Sequence, residues 1–179
     1  MATYLAFLRA INLGSTRKFP KADIVAAVEG AGFTGVETHI NTGNVRFDTT
    51  LRSRAKIEAA LEEAFLADRG FEVPTILFTP AELRTIADDA EELAAGQAQL
   101  ERHYIYLLKS DPDPDRVEAL VARSSGTNQV AVRNRAAHLL LGAGYTRGTV
   151  DPFNVEKALG VVATNRNLTV IRAMAEKWC

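Results

Sequence analysis

Cysteine is almost missing from this 179-residue sequence, because it occurs once, as Cys179 at the last position. No disulfide can form within the chain, and a reducing, cytoplasmic setting is the expectation that follows. Long apolar runs are missing too: no window approaches 18 consecutive apolar residues, and the short run at residues 4–8 is cut by Arg9. We therefore expect neither a membrane-spanning helix nor a signal peptide.

Motifs of familiar chemistry are equally scarce. The sequence has no G-x-S-x-G elbow and no P-loop, and the glycines at 142, 144 and 148 miss the dinucleotide-binding spacing by one residue. Three histidines lie in predicted strands without metal-ligand spacing: His39, His103 and His138. We predict no metal and no cofactor. Because no general base or nucleophile can be named, the sequence leaves open whether the chain is an enzyme.

Charge is balanced overall but unevenly placed. The net charge is −1, with 47% hydrophobic and 24% charged residues, which is typical of a globular protein. Residues 1–22 carry four cations and no acid, and residues 123–179 carry eight cations and three acids. The segment between them has nine cations and nineteen acids. Both chain ends therefore face either an anionic ligand or the acidic middle, unless local compensation makes the surface a mosaic.

Hydrophobic periodicity in residues 1–79 predicts the order β-α-β-β-α-β. Residues 3–11 read as a strand buried on both faces, and Pro20 opens a helix that ends near Gly32. A tight turn at residues 41–44 joins two strands, a helix covers about 52–68, and a strand covers 73–78. This is the ferredoxin-like unit.

The remaining sequence repeats the theme. Residues 80–102 read as a connecting helix or linker, and residues 103–179 as a second α+β subdomain. Its elements are a strand at 103–108, a helix starting at Asp113-Pro114, a hairpin around Asn134-Arg135, and helices near 154–159 and 165–178. We predict an α+β protein of two ferredoxin-like (βαββαβ-type) halves, 1–79 and 103–179, packed into one compact unit.

Three motifs resemble the signatures of the domain-of-unknown-function 1697 family, which is mainly bacterial. They are FLRAINLG (7–14) followed by a basic residue and Pro20, TGNVRF (42–47), and ATNRN (163–167) with Thr169. Ser15 and Leu168 depart from the family's common glycine and aromatic. The resemblance implies a two-part α+β fold with ferredoxin-like halves, and it implies no established activity.

Topology brings the first two motifs together. In a βαββαβ sheet the first and third strands are antiparallel neighbours, so the end of the first lies beside the start of the third. Arg9 and Asn12 should thus approach the turn at Gly43 and Asn44. The alternative is purely structural: Gly43 supplies a positive φ, and Asn12 satisfies loop backbone.

The third motif predicts a helix start. Thr164 or Asn165 would cap the final helix, whose free N–H groups and positive end, together with Arg166, would hold a phosphate or carboxylate. A plain N-cap with a solvated arginine is the alternative. If this helix start docks near Arg9 and Lys18, one anion site forms between the subdomains.

The leading hypothesis is a cytoplasmic protein that binds a small anionic, phosphate- or nucleotide-like metabolite at the junction of its halves. The predicted ligand-binding residues are Arg9, Asn12, Lys18, Gly43, Asn44, Thr164, Asn165 and Arg166. One alternative is an interaction or regulatory module that docks an acidic partner or a nucleic-acid backbone without catalysis. Another is that all three motifs only hold the fold together. Oligomeric state is not predicted.

RNA recognition on the sheet face is not expected. That mode needs outward aromatics on the first and third strands, whereas the third strand offers Phe47 alone, beside Asp48. Tyr4 and Phe7 of the first strand point to opposite faces.

Overall fold

The computed structural model describes residues 1–144 and 151–179. Gly148, the last glycine of the near-dinucleotide pattern, lies outside the described residues. The chain divides into two units, Met1–Pro80 with Trp178 and Ala81–Lys177 with Cys179. We call them the first unit and the second unit. Each contains one four-stranded antiparallel sheet packed with helices, which confirms the predicted α+β class.

The first unit has the order β-α-β-β-α-β. Its elements are β1 (Ala2–Leu8), α1 (Lys21–Gly30), β2 (Thr34–His39), β3 (Asn44–Thr49), α2 (Arg54–Arg69) and β4 (Thr75–Phe78). The strands lie in the order β2-β3-β1-β4, so the first and third strands are neighbours as predicted. This strand order and connectivity are those of the ferredoxin-like fold.

Local sequence sets the helix ends of the first unit. Ser53 caps α2 by accepting a hydrogen bond from Lys56 N, and Gly70 ends it in the left-handed conformation at φ 72°. Apolar residues of α1 and α2, such as Ile24 and Leu61, bury one face of the sheet in a core with Phe47. The alternation of β3 places Val45, Phe47 and Thr49 on that face.

Side chains of α2 close the outer edge of β4. Glu62 Oε1 accepts from Thr75 N at 2.8 Å, and Glu58 Oε1 accepts from Leu77 N at 3.2 Å. Arg54 Nη1 donates to Leu77 O at 2.7 Å. The one-turn spacing of 54, 58 and 62 thus supplies partners for backbone groups that face away from β1.

The second unit repeats the topology. It contains α3 (Pro80–Ala95, whose first residue belongs to the first unit), β5 (Leu100–Leu108), α4 (Pro114–Val121), β6 (Asn128–Arg133), β7 (Ala136–Gly142), α5 (Val155–Leu159), β8 (Ala163–Asn167) and α6 (Leu168–Trp178). The strand order β6-β7-β5-β8 is that of the first unit with each strand replaced by its counterpart. Both ferredoxin-like halves are therefore confirmed.

Polar contacts of α3 fix its place in the second unit. Glu91 forms a two-point ion pair with Arg172 of α6, and Asp89 Oδ2 accepts from Asn134 Nδ2 at 2.6 Å. Asn134 and Arg135 have φ values of 49° and 60°, as expected for the tight β6–β7 turn. The other face of this sheet packs against α5, through a core that includes Tyr106, Leu139 and Leu159.

The prediction of a final helix from about residue 165 is wrong at its start. Residues 163–167 form strand β8, paired with β5 through Tyr106↔Asn165 and Leu107↔Thr164, instead of leading into a helix from about 165. Neither Thr164 nor Asn165 caps α6. The cap is Asn167, whose Oδ1 accepts from Val170 N at 2.9 Å. Pairing with β5 keeps the backbone extended until Asn167, so the helix starts three residues later.

Candidate functional site

Two loops of the first unit meet at one end of its sheet. Phe7 pairs with Asn44 in the β1–β3 register, and Leu8 N donates to Gly43 O at 2.8 Å. Asn12 Nδ2 donates to Asn41 O at 2.8 Å, which ties the loop of residues 9–20 to the turn of residues 40–43. We call these two segments the paired loops. The predicted approach of the first two motifs is confirmed.

Asn12 organises the longer loop. Its Oδ1 accepts from Phe19 N at 2.9 Å, and its Nδ2 donates to Phe19 O at 3.1 Å as well as to Asn41 O. Both amide hydrogens are therefore used, and one lone pair of Oδ1 remains. Asn12 thus holds the loop in place and has little hydrogen-bonding capacity left for a ligand.

Gly43 and Asn44 hold the shorter loop. Gly43 has φ +75°, which glycine adopts freely, and Asn44 is fully buried. Asn44 Nδ2 donates to His39 O and to Thr42 Oγ1, both at 3.0 Å. These contacts agree with the structural alternative for both residues, namely that they shape the turn.

Left-handed backbone is concentrated in the paired loops. Ala10, Asn12 and Arg17 have φ values of 58°, 52° and 52°, and Ile40 has 51°. A β-branched residue in this region is a true outlier, and such strain is retained where surrounding structure holds it, often at functional sites. The strain therefore marks this edge as a candidate site.

The cations of the longer loop have different roles. Arg17 donates to Ala10 O and to Glu72 O, and its guanidinium carbon lies 4.5 Å from the Phe71 ring centroid. Arg17 is therefore a structural clamp. Arg9 is half-buried, and its backbone N donates to Pro74 O at 2.9 Å. Lys18 is exposed and uses one ammonium hydrogen on Gly14 O at 2.5 Å, which leaves two donors.

A cavity of about 470 Å³ opens beside the paired loops. Its lining residues are Asn12, Lys18, Pro20, Lys21, Ala22 and Asn41. The cavity therefore brings two of the predicted site residues together with Lys21 and Asn41, which the site prediction omitted. The basic count of residues 1–22 and the turn at 41–44 were the signals that pointed to them.

The same cavity faces the start of α1. Pro20 is the N-cap and has no side-chain hydrogen bond to the helix, so the first-turn N–H groups lack the usual cap. The first-turn acid, Asp23, is paired with Arg69 Nη1 at 3.0 Å. The helix dipole and two lysines therefore make this opening electropositive.

The third motif is buried in the second unit. Arg166 is 7% exposed, and its Nη1 donates to Thr164 Oγ1 at 2.9 Å and to Asn165 O at 2.6 Å. Burial lowers the pKa of the Arg166 guanidinium to about 10. Asn165 Nδ2 donates to the Tyr106 hydroxyl at 3.1 Å. The predicted helix start is thus a strand, and Arg166, which the alternative placed in solvent, is buried against Thr164 and Asn165.

One pair of residues escaped the sequence analysis. His103 and His138, considered singly there, pack against each other with Nε2 and Nδ1 3.2 Å apart. Only the β5–β7 register, Ile105↔His138 and His103↔Leu140, reveals the pair. Among the described residues, no three His, Cys, Asp or Glu side chains are grouped as metal ligands. No helix in the described part of the chain is long and apolar enough to cross a membrane.

The family described as "Protein of unknown function (DUF1697)" matches residues 1–138. The first two motifs lie within that range, and the third, at 163–167, lies beyond it. A solved structure, that of the conserved bacterial protein SP0830 from Streptococcus pneumoniae, is similar with a TM-score of 0.76. The two share 19% identity, covering 99% of this chain and 98% of that one, so the likeness shows the fold. No curated protein matches the chain.

Proposed function

The chain belongs to the DUF1697 family, and because that membership names no activity, we propose from the geometry that it binds a small anionic ligand. The proposed ligand is phosphate- or nucleotide-like, and it occupies the cavity at the start of α1. The carrying observation is that an electropositive helix end without a side-chain cap and two lysines open into one cavity. Helix N-termini favour phosphates because their N–H groups and dipole both attract negative charge.

The size of the cavity supports a small molecule. Its volume of about 470 Å³ lies within the range of about 300–1,000 Å³ that is common for small-ligand sites. Lys18 and Lys21 supply charge, and the exposed amide of Asn41 supplies hydrogen bonds. Asn12, Gly43 and Asn44 keep these groups in place through the contacts of the paired loops. Binding therefore uses the paired loops as a preformed frame.

We assign no catalytic role to this site. Its lining among the described residues contains two lysines, two asparagines, a proline and an alanine, without a carboxylate, imidazole, hydroxyl or thiol. A lysine amine can also act in proton transfer or covalent catalysis, but the lining that the structure describes holds no carboxylate or imidazole that would activate Lys18 or Lys21. The expectation that Arg9, Thr164, Asn165 and Arg166 belong to the same site stays a prediction, which the affinity of a T164A variant for the same anions tests.

Calorimetric titration with inorganic phosphate, adenosine monophosphate and citrate tests the proposal. We expect at least one of the two phosphates to bind the wild type and the K18Q/K21Q variant to bind it about tenfold more weakly or worse, a loss of about 1.4 kcal/mol. K56Q is the matched control, because Lys56 is an exposed lysine on α2 outside the cavity. Equal affinity of K18Q/K21Q and wild type, or no binding of either phosphate, would contradict the proposal.

A macromolecular partner is the second candidate function. Leu13 and Ile40, one on each of the paired loops, are 54% and 40% exposed beside the lysines. The lysines would attract an acidic protein or a nucleic-acid backbone, and the exposed apolar groups would add contact area with a protein partner. Binding of a polyanion such as heparin would then weaken steeply between 50 and 200 mM salt. A preformed pocket for a small anion would lose less affinity and would discriminate among ligands.

A further inference from the structure

The second unit contains a buried pair of histidines that the proposed anion site does not use. His103 on β5 is 5% exposed, and His138 on β7 is fully buried. Their ring centroids are 5.3 Å apart with planes inclined at 57°, and His103 Nε2 lies 3.2 Å from His138 Nδ1. The distance fits one hydrogen bond between two neutral rings, whichever nitrogen carries the proton.

Two ring nitrogens of the pair lack a hydrogen-bond partner among the described residues. His103 Nδ1 and His138 Nε2 are buried, and within the described part of the chain neither has a hydrogen-bond partner. In either tautomeric arrangement the inner nitrogens share one hydrogen, so one outer nitrogen is an unpaired N–H and the other an unpaired lone pair. The unpaired lone pair is the position that an additional proton would take.

The charges around the pair are mostly positive. Glu91 of α3 faces His103, but its carboxylate is already held at two points by Arg172 of α6. Arg133 of β6 faces His138. Arg166 of β8 lies on the same sheet face, because Ile105 of β5 pairs with both His138 and Arg166. An imidazolium here would be repelled by Arg172 and Arg133, would share its sheet face with Arg166, and would find one carboxylate that is already paired.

We propose that the His103–His138 pair is an acid-sensitive switch that loosens the sheet of the second unit when protons enter it. A first proton, taken from solvent, forms an N–H bond at the outer lone pair and leaves the inner hydrogen bond intact. A second proton must take the remaining inner lone pair, so both inner nitrogens become N–H donors facing each other. The rings then separate, and β5 and β7 lose a buried contact.

The direction of the pKa shifts of the two rings supports easier opening in acid. Burial lowers the pKa of His103 to about 4, with Arg172 acting in the same direction and Glu91 against it. Burial also lowers the pKa of His138 to about 3, helped by His103 and Arg133. Because an unfolded histidine titrates near 6.5, the open form binds more protons than the closed form below that pH. Opening therefore becomes easier as the pH falls from about 6.5 towards 4.

Hydrogen exchange on the full-length chain tests the switch. Protection factors, which correct for the intrinsic pH dependence of exchange, are measured from pH 7.5 to 4.5 for peptides covering β5 and β7. We expect protection in wild type to fall at least tenfold more than in the H103L/H138L variant, whose similarly sized apolar side chains bind no proton. H39Q is the matched control, since it removes the third histidine, and should follow the wild type. Equal pH profiles for wild type and H103L/H138L would overturn the proposal.

A measurement on the wild type keeps the test independent of whether that variant folds. The ring Hε1 signals of His103 and His138, followed by NMR, should show no titration between pH 7.5 and 5.5 while the chain remains folded. Titration of either ring near pH 6.5 in the folded chain would also overturn the proposal.

Discussion

Gly43 combines two constraints on a single residue. Its φ of +75° lies in the left-handed region, and a β-carbon added there would lie 2.7 Å from Leu8 Cβ and 2.8 Å from Ile11 Cδ1. Gly14, on the other of the paired loops, has φ +56° with nothing within 4 Å of the corresponding position. Alanine variants at the two glycines therefore distinguish the cost of backbone strain alone, at Gly14, from the cost of strain with steric overlap, at Gly43.

Replacing Gly43 by alanine should lower the free energy of unfolding by about 2–4 kcal/mol, from strain and from displacement of Leu8 and Ile11. G14A should cost about 1 kcal/mol, because only strain acts there. Urea unfolding of both variants provides the measurement. If both variants lose the same stability, the close approach at Gly43 has no energetic consequence.

The sequence predicts which residues lie in the paired loops better than it predicts what each of them does there. The βαββαβ order was sufficient to bring Asn12 near Gly43, because strand adjacency follows from topology. That Asn12 spends both amide hydrogens on Phe19 and Asn41 depends on the loop conformation, which no periodicity encodes. The same limit hid the His103–His138 pair, whose members are 35 residues apart and meet only through the β5–β7 register.

At the scale of elements, side chains of α2 satisfy backbone groups of β4 that a further strand would otherwise pair with. Its side chains at 54, 58 and 62 satisfy the backbone of β4, which is the outermost strand of its sheet. In the second unit Glu156 of α5 serves β8 in the same way, accepting from Ala163 N at 3.2 Å. Free strand edges promote association between chains, so these carboxylates protect both sheets.

Replacing Glu58 by alanine should remove the hydrogen bond that Leu77 N donates to Glu58 Oε1 and lower the free energy of unfolding by about 1–3 kcal/mol. The E58A/E62A double variant should also self-associate, because both carboxylates that cover the β4 edge are removed. Urea unfolding and sedimentation velocity measure the two effects. E63A is the control, since Glu63 is exposed on the same helix, and it should stay within about 0.5 kcal/mol of wild type. A monomeric E58A/E62A variant of unchanged stability would show that the β4 edge does not need these side chains to prevent association.

Strand β8 shows where element prediction fails. Residues 163–167 contain one alanine among polar residues, so neither period of apolar residues marks them as a strand. Asn165 and Asn167 are equally good helix caps by residue type. Pairing with β5 as far as Tyr104↔Asn167 selects the second of them, and that is a tertiary interaction.

At the scale of the whole molecule, one strand order occurs twice in a chain with different residues. The order β2-β3-β1-β4 recurs as β6-β7-β5-β8, with each sheet complete within its own unit. The buried polar residues differ, however: the second unit alone holds a buried histidine pair and a buried arginine on one sheet face. Acid should therefore affect the two units unequally.

The overall stability of the chain should decline between pH 7.5 and 5.0. Each of the two buried histidines has a folded-state pKa below its unfolded value, so each should remove about 2 kcal/mol over this range. Urea unfolding at the two pH values, compared between wild type and H103L/H138L, isolates this contribution from that of the carboxylates. A loss of equal size in the two proteins would assign the acid sensitivity to other groups.

The separation of the two sheets along the chain also has a consequence for biosynthesis. The last strand of the first sheet ends at Phe78, and the first strand of the second sheet begins at Leu100. Among the described residues no strand is exchanged between them, so all four strands of the first sheet are translated before any strand of the second. The N-terminal sheet can thus form on the ribosome while residues from 100 onward are still being added, in keeping with the vectorial folding of successive domains.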